Sequence, residues 1–222
     1  MDLLSGKKKS DDSMIRLADD EPGQLFLVLQ WCEGGDLSKQ IERGQFRGED
    51  REAKLLRILR EIAATFSFIH SLRVVHRDLK PGNVLLDRTQ RVAKVCDFGL
   101  ARMRTAAGKA TRVAGSFKYM APELFKHNTV TEHVDTYSFG VVVNETLSGA
   151  YPWKDTPDIA IPMRVAVENK RPEIVKEAKI HPNLLNLILG CWKQDPTARP
   201  TMGGALDVLK AHRLELSSTI EK

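Results

Sequence analysis

His76-Arg77-Asp78-Leu79-Lys80-Pro81-Gly82-Asn83 is the stretch on which the reading of this chain turns. Taken singly, Asp78 reads as a turn residue and Asn83 as a helix cap. Two further strings change that. Asp97-Phe98-Gly99 follows Asn83 by fourteen residues, and Ala121-Pro122-Glu123 comes after it. Farther on stand Asp135-x-x-Ser138-x-Gly140 and, late in the chain, Arg199. Any one of these strings occurs by chance, but all of them in this order do not.

Around this stretch the chain is mostly helical. Residues 50–71 place Leu55, Leu56, Ile58, Leu59, Ile62, Ala63, Phe66 and Ile69 at helical spacings, with Arg and Glu between them. That predicts an amphipathic helix of about 20 residues. Val84-Leu85-Leu86 and the run Val92 to Cys96, joined by Asp87-Arg88-Thr89-Gln90, predict two short strands and a turn. Thr131 to Ser148 predicts a second long helix, with Thr131 as N-cap and Gly149 as its stop. Pro162 suits the first turn of a helix running to about Asn169, and residues 183–193 and 201–213 predict two more. Upstream, Leu25 to Gln30 lies between Pro22-Gly23 and Gly34-Gly35 and predicts a buried strand, with Ile15 to Leu17 as its hairpin partner. This is much helix and too few strands for an independent sheet.

Composition narrows the class. The 222 residues are 42% hydrophobic and 28% charged, enough to bury a core. The longest apolar runs, such as Leu25-Phe26-Leu27-Val28-Leu29, fall far short of the roughly 18 residues a membrane span needs, so no membrane insertion is expected. The start of the chain carries no apolar signal region. Three scattered cysteines, Cys32, Cys96 and Cys191, make neither metal pairs nor a disulfide framework, which points to a reducing, cytoplasmic setting. Lys and Arg number 34 against 29 Asp and Glu, but the excess is dispersed, so nucleic acid is not the expected partner.

The ordered motifs resemble those of the eukaryotic protein kinases: catalytic loop, metal-binding triplet and the end of the activation segment. The likeness runs from about Ile15 to Leu214. Gly115-Ser116-Phe117-Lys118-Tyr119-Met120-Ala121-Pro122-Glu123 looks most like the tyrosine-kinase-like group of Ser/Thr kinases. The resemblance implies an α+β family fold, of which this chain is mainly the α-rich C-lobe with the last N-lobe strands and the hinge. It implies ATP and Mg2+ as cofactors and proteins phosphorylated on Ser or Thr as substrates. Asp78 would orient the substrate hydroxyl and accept its proton, and Lys80 would reach the γ-phosphate. A lysine there, rather than an Ala-Ala-Arg pattern, argues for Ser/Thr acceptors. Asn83 and Asp97 are hard oxygen donors that match Mg2+. Leu29 would be the gatekeeper, Gln30 and Cys32 would offer backbone groups to adenine, Asp36 would lie near the ribose, and Leu85 would form the floor. Asp135 resembles the aspartate that holds the catalytic loop's backbone, and Glu123 and Arg199 resemble a supporting ion pair. Ser116 would sit with the catalytic aspartate and lysine at the substrate-docking surface. Arg77 would pair with a phosphate on Thr111, helped by Arg102, Arg104 and Arg112.

The likeness is incomplete at one end. No G-x-G-x-x-G and no V-A-I-K occurs in the sequence. By resemblance that lysine precedes the hinge by roughly 45–50 residues, whereas 29 precede Gln30. The expected organisation is an unassigned segment over 1–14, an N-lobe remnant over 15–32, a C-lobe over 33–214 and a tail over 215–222. Two functions follow: a Ser/Thr kinase whose N-lobe is truncated, or a non-catalytic interaction module of pseudokinase type.

Overall fold

The structure is a computed structural model, and it describes residues 16–18, 26–46, 48, 50–103, 116–126 and 130–220. The predicted hairpin forms: β1 (Arg16–Ala18) pairs antiparallel with β2 (Phe26–Val28), Arg16 opposite Val28. Its turn, and Ile15, lie outside the described residues. The expectation of a buried strand out to Gln30 is corrected. The strand ends at Val28, and Leu29 is 62% exposed, because no described element packs over it.

The hinge region then turns into β3 (Gly35–Asp36) and α1 (Leu37–Glu42). β3 is the edge of a three-stranded antiparallel sheet with β5 (Val84–Leu86) in the centre and β6 (Ala93–Val95) beyond. Gly34 is required at the entrance. Its N–H donates to Leu86 O at 3.0 Å, and a Cβ there would stand 2.2 Å from the Asp87 carbonyl oxygen. A second pair the sequence did not predict, β4 (Val74–Val75) with β7 (Arg102–Met103), ties the start of the His76–Asn83 stretch to the chain beyond Gly99.

α2 (Arg51–Ser71) buries all eight predicted apolar residues on one face. It packs against α7 (Met202–Ile220) and against α4 (His133–Ser148). α4 runs through the centre of the core: every residue from Val134 to Leu147 is buried. Gly140 is needed on it, since a Cβ would meet Cys191 Cβ at 2.6 Å and Trp192 Nε1 at 2.9 Å. Gly149 stops the helix with φ +73°, as predicted. The start differs from expectation: Thr131 is not the N-cap, and helix begins two residues later after Glu132, with no side-chain cap. Between α4 and α7 lie α5 (Ile161–Ala166) and α6 (Pro182–Cys191). α5 has Pro162 in its first turn but ends three residues before the predicted Asn169, whose φ of +53° is not helical. α7 extends past the predicted 213, because no Pro or Gly interrupts the sequence there. A short helix, α3 (Pro122–Phe125), completes the set in front of α4.

Candidate active site

The His76–Asn83 stretch is a loop held by buried acceptors. After β4, His76 and Arg77 turn sharply, and Arg77 takes a left-handed φ of +69°. Asp135, fully buried on α4, fixes that turn. Its Oδ1 accepts the Arg77 N–H at 2.8 Å, and its Oδ2 accepts the His76 N–H at 2.9 Å and a ring N–H of His70 at 2.8 Å. His70 was not singled out in the sequence; its position in the last turn of the amphipathic α2 was the available signal. His76 is buried with its Nε2–H donating to Cys96 O at 3.1 Å, while its Nδ1 accepts the Asp78 N–H at 3.3 Å. The Phe98 ring meets the same imidazole edge-on at 4.8 Å.

This scaffold delivers Asp78 to a buried junction. Lys80 Nζ donates to Asp78 Oδ2 at 2.8 Å, and Asn83 Nδ2 donates to the same oxygen at 3.0 Å and to the Asp78 carbonyl at 2.8 Å. Ser116 completes it: its N–H donates to Asp78 Oδ1 at 3.3 Å and its Oγ accepts from Lys80 at 3.2 Å. Pro81–Asn83 forms a 3-10 turn, which brings Lys80 and Asn83 round to the same side chain. The Asn83 backbone carbonyl oxygen accepts the Cys96 N–H at 2.9 Å, so the residue before Asp97 is tied to the same loop. Asp97 has φ +63° and an exposed carboxylate that accepts the Gly99 N–H at 3.3 Å.

The hinge residues are placed less closely. Gly35 N–H donates to Cys32 O at 3.2 Å, and the Gln30 side chain accepts from Lys94. Leu29 is exposed and Leu85 half-buried on β5. Asp36 caps α1: it accepts the Lys39 N–H at 2.9 Å and pairs with the Lys39 ammonium at 3.0 Å. Burial opposes its ionisation, but those bonds hold its carboxyl below the usual range. Arg77 Nε donates to Leu100 O at 2.6 Å, at the start of the segment that leads to Thr111. Thr111, Arg104 and Arg112 lie outside the described residues, as does the Arg102 side chain.

The segment after Ser116 is anchored from behind. Ser138 Oγ donates to Tyr119 O at 2.8 Å, and the buried Tyr119 hydroxyl donates to Glu145 Oε2 at 2.8 Å. Burial pushes the Glu145 carboxyl up to about 7. Arg199 holds Glu123 through two bonds, 2.7 and 2.9 Å, and also donates to the His133 and Lys193 carbonyls. In front of this segment a cleft of about 360 Å3 opens beside Lys80, lined by Ser38, Gly82, Phe117, Lys118, Tyr151 and Asp158 among others.

A loop that clamps a carboxylate between a lysine, an asparagine and the chain beyond a D-F-G triplet is an arrangement that points to one family. A family model for the protein kinase domain matches residues 11–211, and the chain belongs to that family. Its fold is accordingly the mainly helical C-lobe with the last N-lobe strands. Among its relatives are the serine/threonine-protein kinase STY17 of Arabidopsis thaliana, 33% identical over 83% of this chain, and the serine/threonine/tyrosine-protein kinase HT1 of the same plant, 35% identical over 86%. A probable serine/threonine-protein kinase of Dictyostelium discoideum is 30% identical over 93% of the chain. The chain spans 32%, 48% and 22% of the length of these three. No helix among the described residues is long and apolar enough to cross a membrane.

Proposed function

We propose that this chain carries the catalytic loop of a Ser/Thr protein kinase, which transfers the γ-phosphate of ATP to protein hydroxyls. The observation that supports it is the Asp78 junction, where both carboxylate oxygens are pinned by groups from different parts of the chain. A carboxylate so held keeps one orientation as an acceptor hydroxyl approaches, which is the positioning this chemistry needs. Asp78 would orient the hydroxyl and take its proton. Lys80, already at the junction, would place its positive charge against the transferred phosphoryl group. Ser116 would keep the two together and hold the acceptor segment beside them.

The donor set suits Mg2+. Both side-chain amide hydrogens of Asn83 face Asp78, which leaves its side-chain oxygen Oδ1 to offer a cation, and the Asp97 carboxylate is exposed on the loop tied to Asn83. Two oxygen donors are what Mg2+ takes from a protein when phosphate and water complete its shell. When bound, the ion would neutralise charge on the nucleotide phosphates. Leu29, the backbone of Gln30 and Cys32, Asp36 and Leu85 would receive the nucleoside.

A second reading, a non-catalytic interaction module, is favoured by the bare hinge, where Leu29 and Trp31 are 62% and 84% exposed. Transfer of label from γ-labelled ATP to Ser/Thr and to Tyr peptides separates the two. The proposal expects Mg2+-dependent label on Ser/Thr peptides with the full-length protein, and weak or no Mg-ATP binding by the 222-residue chain alone. No transfer by the full-length protein would leave the module reading in its place.

A further inference from the structure

Gln40 is a buried polar side chain on α1, and it uses both ends of its amide. Its Nε2 donates to the Gly34 carbonyl oxygen at 2.6 Å, and its Oε1 accepts from Gln90 Nε2 at 3.1 Å. Chemistry fixes that orientation. The Gly34 oxygen can only accept, so the NH2 end of Gln40 faces it and the oxygen end is left for Gln90. Gln90 stands on the turn between β5 and β6 with a left-handed φ of +55°. One side chain of α1 therefore joins the hinge to the β5–β6 hairpin, reaching 50 residues along the sequence.

The hinge has little packing of its own, since Leu29 and Trp31 are exposed, so hydrogen bonds set its path. The Gly34 peptide is held from two sides: its N–H donates to Leu86 O and its C=O accepts from Gln40. The next N–H, that of Gly35, returns to Cys32 O. Together these bonds fix the chain from Cys32 to Asp36, whose backbone and carboxylate are given above to the nucleoside. The hairpin at the far end of the Gln40 link starts at Asn83 and leads through Cys96 to Asp97. We propose that Gln40 is a positioning residue that holds the hinge in register with this hairpin and so sets the affinity and base preference of the nucleotide site. It acts through the Gly34 peptide and not on the nucleotide itself. Adenine offers an amino donor where guanine offers a carbonyl acceptor, so a fixed backbone separates the two bases and a loose one does so less well. The inference rests on the reading of the chain as an ATP-dependent kinase with Cys32 and Asp36 at the nucleoside.

The test is steady-state kinetics of the full-length protein with ATP and GTP as donors and a Ser/Thr peptide as acceptor, with melting temperatures alongside. Gln40→Leu loses both bonds, and Gln40→Glu sets a carboxylate against the Gly34 carbonyl. Each should raise KM for ATP roughly 5–20-fold, the effect of about one buried carbonyl left unpaired, with kcat and the peptide KM unchanged. The preference for ATP over GTP in kcat/KM should shrink by a similar factor. Gln90→Gly frees only the oxygen end and puts glycine at a φ it adopts readily, so it should move the same quantities by about 2–5-fold. That variant decides alone if the Gln40 variants fail to fold. Unchanged KM and unchanged preference in folded variants overturn the inference and leave the kinase reading standing. A loss shared equally by ATP and GTP, with kcat falling too, also overturns it, because general loosening gives that pattern. Wild-type protein that neither binds nor uses ATP removes the kinase reading, and the inference with it.

Discussion

Asp135 accepts the backbone N–H of Arg77 at 2.8 Å across 58 residues of sequence, while Arg77 holds a φ of +69°. A non-glycine residue in that region costs on the order of 1–3 kcal/mol. The buried carboxylate offsets this by accepting three N–H groups at once. Asn in its place turns one acceptor into a donor that faces another donor. Asp135→Asn should therefore lose about 2–4 kcal/mol of stability, with His70→Ala losing less. Urea denaturation of the three proteins checks it, and equal midpoints would remove Asp135 from this role.

Glu123 and Arg199 behave as a buried pair. The guanidinium spends two donors on Glu123 and two bonds on the His133 and Lys193 carbonyls, with the Tyr137 ring 5.2 Å away. Removing the carboxylate strands a buried cation. Glu123→Ala should cost roughly 3–5 kcal/mol. Arg199→Lys should not rescue, since one ammonium cannot make the two-pronged contact. Chemical denaturation with intact secondary structure at zero denaturant is the readout.

Glu145 links stability to pH. Its carboxyl titrates at about 7 when folded, against an ordinary 4.5, because burial disfavours the charge; the Tyr119 hydroxyl and Lys118 oppose this, and Glu42 adds to it. Below about 4.5 the group is protonated whether the chain is folded or not, and its full contribution is present. Between 4.5 and 7 only the folded chain keeps the proton, so stability falls as pH rises. The loss is complete above 7 and amounts to something on the order of 3 kcal/mol. Glu145→Gln should flatten the melting temperature between pH 5 and 8. A wild-type and variant that share one pH profile would contradict it.

The proposal gives the Asp97 carboxylate to Mg2+. Asp97→Ala should abolish the Mg2+-dependent part of nucleotide binding by the full-length protein and leave the melting temperature nearly unchanged, because its side chain is exposed. Titration of a fluorescent ATP analogue with and without Mg2+ decides. Normal Mg-ATP binding by the variant removes the assignment.

Legibility in the sequence followed burial geometry. The eight buried residues of α2 were readable because one wet face gives the helix its period. α4 is buried all round, so it has no such period, and its limits came from Gly149 and a mistaken Thr131 cap. The Asp78, Lys80 and Asn83 junction and the Asp97-Phe98-Gly99 triplet were legible as motifs. What holds it was only partly so: His70 acts across 65 residues and β4 with β7 across 29 to 27, and such pairings leave no local pattern. The end of the strand, at Leu29 and Gln30, was misjudged because apolar composition predicts burial only where another element covers it, as none described covers Leu29.

The central claim is that Asp78 acts on the acceptor hydroxyl and not on the nucleotide. Steady-state kinetics of Asp78→Asn in the full-length protein, with ATP and a Ser/Thr peptide varied in turn, tests it most directly. The account predicts a fall in kcat of about 10²–10⁴-fold, the range of a lost general base, with KM for ATP unchanged. An Asp78→Asn protein that keeps most of its kcat, or loses ATP binding instead, would contradict it.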